Sequence, residues 1–251
     1  MSESTALAPR ELAYAGAESK AAFSGSLLGS ELKGRFALRP MVGDERVQLR
    51  GLRRSTRLLK RSFDLVGATL LLVLLAPLML LVALLIRLED HGPALFRQTR
   101  VGRDGKPFEI VKFRTMVVGA DELKDELRPL SEAGALFKLA EDPRVTRVGR
   151  CVRRSCIDEL PQLFNVLGGT MSLVGPRPLI PEEDRLIVGW HRVRLCAAPG
   201  MTGHWQVLGA ARVPLHEMVA IDCRYVADWT LWSDVWTLAR TVPCVLAMRG
   251  L

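Results

Sequence analysis

The most persistent pattern in the chain is apolar. LVGATLLLVLLAPLMLLVALLI, from Leu65 to Ile86, runs 22 residues without a charge. About 20 apolar residues, rising about 1.5 Å each, span a hydrocarbon core about 30 Å thick. Pro77 sits near the middle of the run, and its missing N–H and its clash with the preceding turn predict a break there. Each half then reaches only about 16–18 Å, roughly half the core. Arg53, Arg54, Arg57, Lys60 and Arg61 precede the run, and Arg87, Arg97, Arg100, Arg103 and Lys106 follow it. Both clusters favour the cytoplasm. The pattern predicts a helix-break-helix within 51–90 that enters and leaves the bilayer on one face, with Pro77 at the bend. A straight span and a buried globular helix are the alternatives.

Beyond the run the period changes. ALFRQTRVGRDGKPFEIVKFRTM reads as two short strands around a GRDG turn. Residues 119–130, GADELKDELRPL, read as a polar-faced helix stopped by Pro129, and helical spacing returns after Pro181, around LHEMVAIDCRYVADW and in SDVWTLARTVPCVLAMRGL. Trp229, Trp232 and Trp236 in that last segment suit either a membrane interface or a core. Residues 1–50 keep no sustained period and lack the pattern of a signal peptide, so they read as a mobile extension. The expected class is α+β, mostly helical. Its parts are the extension at 1–50, a basic flank and re-entrant helix at 51–90, and a cytoplasmic, membrane-associated helical domain with a small β-hairpin at 91–251.

Charge adds a class of partner. Lys and Arg number 35 against 27 Asp and Glu, a formal +8, which points to nucleic acid, acidic lipid or phosphorylated substrates. Nucleic-acid binding leaves the charge-free run unexplained and is not expected. Five cysteines with no CxxC pair and no zinc spacing read as reduced, buried small residues.

Candidate chemistry gathers at RRSCIDELPQLFNVLGGTMSLVGPRP, residues 153–178. Before Asp158 and Glu159 stand Arg144, Arg147, Arg150 and Arg153, three apart, with Arg154 adjoining. Forked guanidiniums match phosphate oxygens, whereas an arginine run by itself also serves as a solvated face. Asp158 could cap the helix that DELPQLFNVL begins, with Glu159 complementing the helix dipole. Adjacent helical residues point about 100° apart, so the two acids do not form a facing acid/base dyad. Spacing leaves capping and catalysis both open.

SCIDELPQLFNVLGGTMSLVGPRP resembles the signature of the bacterial sugar transferases, the monotopic enzymes that move a sugar phosphate onto a polyprenyl phosphate. The likeness continues through FRQTRVGRDGKPF, KFRTM, FKLAEDPRVTRVGR, PGMTGHWQ, DCRYVADWTLWSD and RTVP, over roughly residues 58–245. The resemblance implies that Asp158 attacks the β-phosphate of a UDP-sugar, that UMP leaves, and that undecaprenyl phosphate takes the sugar phosphate from the aspartyl intermediate. A carboxylate is a reasonable phosphoryl acceptor. The resemblance also implies Mg²⁺ at Asp158 and Glu159, with Glu159 completing the metal site or assisting the second step. Arg153, Arg177 of GPRP, Arg147 and Arg114 of KFRTM become phosphate-binding candidates, and Gly203, Gln206 and Arg212 nucleotide-binding ones. It further implies a bacterial inner-membrane location with the catalytic domain facing the cytoplasm. Homo-oligomerisation is left open. Two departures stand out: Ala210 where the family has arginine, with Arg212 as its candidate replacement, and Cys156-Ile157 where Ser-Leu is common.

Overall fold

The computed structural model describes residues 54–120, 122–123, 142–208 and 215–246. The expected extension at 1–50, most of the expected 119–130 helix, and Arg212 lie outside them. All the described residues belong to one compact unit, 47–251.

The apolar run lies in α1, Arg54–Asp90, a helix whose assignment continues through Pro77. The expected interruption into two helices is therefore not found. A contact stripe crosses the proline: Asp64, Ala68, Met79, Val82 and Ile86 are buried, and Leu72 packs between two core clusters. Their three- and four-residue spacing lines one helix face. Packing on both sides of Pro77 offsets the donor it removes. The other faces stay bare, with Val73, Leu74 and Leu80 each more than 70% exposed.

Both ends of α1 are fastened to the same body. Near its start, Lys60 Nζ donates to Asp234 at 2.6 Å, and Asp64 accepts from Ser172 Oγ and Leu173 N. At its end, Asp90 pairs with Arg114, and Glu89 accepts from Arg147 N at 2.8 Å.

The hairpin forms as expected. β1, Leu95–Val101, pairs antiparallel with β2, Pro107–Phe113, with Val101 opposite Pro107. The turn places Asp104 (φ 59°) and Gly105 (φ 74°) in the left-handed region, where glycine carries no steric cost. Then follow α2, Arg147–Arg154, a single 3₁₀ turn at Ile157–Glu159, and α3, Gln162–Leu167. Thr146 caps α2 by accepting from Gly149 N at 2.9 Å.

A second pair of strands had no forecast in the pattern. β3, Ser172–Val174, runs parallel to β4, Gly200–Thr202. Gly175 N donates to Thr202 O and Gly200 N to Pro176 O, so the GPRP and PGMTG segments meet backbone to backbone. A Cβ on Gly175 or Gly200 would collide with the other segment's main chain, which explains why both positions are glycine.

Three short or longer helices complete the fold with one more short element between the strands: α4, Pro181–Asp184; α5, His204–Val207; α6, Leu215–Ala227; and α7, Leu231–Leu246. The main core joins Ala68 of α1, Ile110 of β2, Leu163 and Val166 of α3, Leu173 and Val174 of β3, and Tyr225 of α6. The tryptophans divide: Trp229 is half-buried and donates to Asp234, whereas Trp232 is 75% exposed. Of the five cysteines only Cys223 is buried and Cys151 is exposed, so a wholly buried set was the wrong expectation. Burial of the thiols was inferred from a general preference, and exposed helix positions override it.

Candidate active site

The two acids do not cap a helix. Cys156 takes a left-handed conformation (φ 55°), the chain makes one 3₁₀ turn through Ile157–Glu159, and α3 begins only after Pro161, with no side-chain cap at either element. Beside these acids stands a solvent-open cleft. Arg100, Lys112, Glu159, Gln162, Arg177 and Gln206 line it, with Ile110 as apolar floor.

Strand periodicity explains the cationic wall. Arg100 faces Phe108, Gln98 faces Ile110 and Phe96 faces Lys112 in the hairpin register. Alternation therefore puts Arg100, Ile110 and Lys112 on one face. Lys112 Nζ donates to Glu159 Oε1 at 2.6 Å. Burial pushes the Asp158 carboxyl up to about 6, Lys112 pulls it down, Glu159 adds to the rise, and Arg153 opposes it. At neutral pH it remains mostly ionised. Arg153 donates from Nε to Thr115 Oγ1 at 2.7 Å; burial lowers its pKa while Asp158 and then Asp142 raise it.

Arg177 reaches the cleft from the loop after β3, its guanidinium 4.7 Å above the Trp205 ring, a favourable cation–π distance. Its main chain is held by buried charges. Arg177 N donates to Asp222 Oδ2 at 3.1 Å, Arg177 O accepts from Arg194 Nη2, and Arg194 lies between Asp184 and Asp222. Burial pushes Asp222 up to about 7, with Arg194 pulling the other way.

The structure thus brings Glu159, Arg177 and Gln206 to one cleft, with Asp158 and Arg153 electrostatically coupled beside it. Gly203 has a packing duty, because a Cβ there would stand 2.6 Å from Gly175 O. Arg147 and Arg114 do not line the cleft. The Arg147 side chain is exposed, and Arg114 is buried against Asp90, Pro93 O and Met116 O. Sequence reasoning missed Arg100 and Lys112 as site residues. Their period-two spacing on a hairpin was the signal that could have found them.

Among the described residues no group of three or more His, Cys, Asp or Glu side chains could enclose a metal ion. Two adjacent carboxylates do suit a cation that takes one or two protein acids and fills its shell with phosphate and water, as Mg²⁺ does.

Comparison with known proteins extends this geometry to a family. The model for "Bacterial sugar transferase" matches residues 55–248. The undecaprenyl-phosphate galactose phosphotransferase of Salmonella typhimurium is 44% identical over 210 residues, covering 82% of this chain and 44% of the relative. Exopolysaccharide production protein ExoY of Rhizobium meliloti is 40% identical over 196 residues, 76% of this chain and 87% of the relative. The UDP-glucose:undecaprenyl-phosphate glucose-1-phosphate transferase of Caulobacter vibrioides is 46% identical over 195 residues, covering 74% and 69%. The chain spans less than half the length of the Salmonella relative. With its helix, hairpin, paired acids and GPRP loop all inside the matched span, the chain belongs to the bacterial sugar transferase family.

Proposed function

We propose that the chain transfers a hexose 1-phosphate from a UDP-hexose to undecaprenyl phosphate, releasing UMP and beginning a surface polysaccharide. The observation that carries this reading is an uncapped, mostly ionised Asp158 beside a cleft walled by Arg100, Lys112 and Arg177. Galactose or glucose as the sugar is favoured by the names of the Salmonella and Caulobacter relatives.

In the first step an Asp158 oxygen attacks the β-phosphorus of the donor. The bond from that phosphorus to the bridging oxygen breaks, and UMP leaves with the electron pair. In the second step an oxygen of undecaprenyl phosphate attacks the same phosphorus and Asp158 departs as a carboxylate. Lys112 and the arginines stabilise the phosphate charge that builds in both steps. Glu159 orients Lys112 through their 2.6 Å ion pair. Asp158 and Glu159 would hold Mg²⁺, which neutralises diphosphate charge when bound. Gln206 stands at the cleft where the nucleotide is expected.

The anchor reading follows from α1. A helix whose two ends both fasten to one body keeps its flanks on one side of a membrane, while its bare leucines enter lipid. This supports a monotopic anchor on the inner membrane with the site on the cytoplasmic face, within reach of an aqueous donor and a lipid-held acceptor. The test is a panel of UDP-sugars given to detergent-solubilised full chain. UMP release that requires undecaprenyl phosphate, and one sugar-phosphate mass on Asp158 with donor alone, are expected. Silence across the panel would sink the reading.

A further inference from the structure

We infer that Arg100 is a phosphate-binding residue of the cleft, acting with Arg177 as a two-guanidinium clamp. This deepens the proposed function and rests on it for the source of the phosphate.

Among the described residues the three buried arginines each have an anionic partner: Arg114 has Asp90, Arg144 has Asp142, and Arg194 has Asp184 and Asp222. Arg100 has none within salt-bridge distance. Nη1 donates to Pro178 O at 3.2 Å, Nη2 donates to Gln98 Oε1 at 2.5 Å, and Nε is buried with no partner. Burial lowers its pKa first, and the charge on Arg177 lowers it further, while Glu183, Glu159 and Glu182 act oppositely from a distance. A cation held by neutral acceptors beside a like charge is unfavourable in the empty fold. It becomes favourable when an anion sits between the two guanidiniums.

Both arginines line the same cleft, and the fold fixes each from behind. Arg100 is the next-to-last residue of β1, and the last, Val101, donates its N–H to Leu179 O, next to the Pro178 carbonyl that Arg100 holds. Hairpin and GPRP loop are thereby locked side by side, with their guanidiniums on shared space. Bidentate recognition of a phosphate needs planar forks from fixed directions. The donor diphosphate and the lipid phosphate share that chemistry.

The test uses full chain in detergent. R100Q removes a strained charge yet leaves the Gln98 and Pro178 acceptors near an amide. The variant should melt at or above wild type, lose inorganic pyrophosphate binding by titration calorimetry about tenfold, and raise KM by about tenfold for whichever substrate supplies the anion. A KM rise for the UDP-sugar alone names the donor diphosphate; one for undecaprenyl phosphate alone names the acceptor. R100K should recover only part of the loss. Unchanged pyrophosphate affinity and unchanged KM for both substrates would overturn the clamp. If R100Q fails to fold, R100K decides: full wild-type affinity in that variant would likewise overturn it. Pyrophosphate binding needs no turnover, so a wild type that binds it through Arg100 but releases no UMP would reject the proposed reaction and keep the site.

Discussion

Two sets of charges in this molecule are built from the same residue types and do opposite work. Around α1 and α7 the charges are fully answered: Asp234, fully buried, accepts from Lys60, Tyr225 and Trp229, and Arg61 donates to Val166 O and Leu167 O at the end of α3. Cations at a helix C-terminus also complement its dipole. In the cleft the account is open, with Arg100 and Arg177 side by side and Asp158 driven toward protonation by its surroundings. A partnered charge holds the fold, whereas a charge left short of partners at a cleft is ready for a ligand. Neighbours, and not position in the arginine-rich sequence, sort one kind from the other.

The sharpest way to break this contrast is D158N. We expect turnover to fall by about a thousandfold or more, with the circular dichroism and membrane recovery of wild type. An active variant would put Asp158 among the structural charges. D234A should act on the other side of the divide. It removes the buried acceptor that Lys60, Tyr225 and Trp229 share, so a loss of about 3–5 kcal/mol in denaturant titration is expected. E159Q should keep the fold but lower net transfer by about tenfold to a hundredfold, because Lys112 loses its anchor; wild-type rates would return Glu159 to a dipole-complementing role. R114Q is expected to cost about 1–3 kcal/mol of stability and leave the donor KM unchanged. A donor KM raised severalfold would show that Arg114 reaches phosphate after all. R97Q, at an exposed pair with Glu109, should shift stability by less than about 1 kcal/mol.

Much of the frame was legible in the residues. The apolar helical character of the 22-residue charge-free run and the hairpin turn at GRDG were both readable, although the run was expected to break at Pro77. The continuity of α1 through Pro77 was not legible, because it depends on Met79, Val82 and Ile86 finding Phe113 and Val152. Nor was the β3–β4 pair: three-residue strands carry too little alternation, and their pairing rests on Gly175 and Gly200, which approach across 25 positions of sequence. The acids of DELP were visible, but their freedom from capping follows from the left-handed turn at Cys156. Arg100 read as one more basic residue flanking a membrane segment, since only the hairpin register turns it toward Lys112.

The fastening of α1 at both ends also sets an order of assembly. Its C-terminal end finds partners soon after synthesis, Asp90 with Arg114 across 24 residues and Glu89 with Arg147 across 58. Its N-terminal end waits: Arg61 needs Val166, 105 residues on, and Lys60 needs Asp234, 174 residues on. At roughly 5–20 residues per second the last of these appears roughly 9–35 s after Lys60 leaves the ribosome. The helix therefore docks backwards, from the end made last toward the end made first, and Lys60 has only Asp64, four residues on, until α7 brings Asp234. A nascent chain stalled before Val166 would hold its anchor by one end only, free to swing about Asp90.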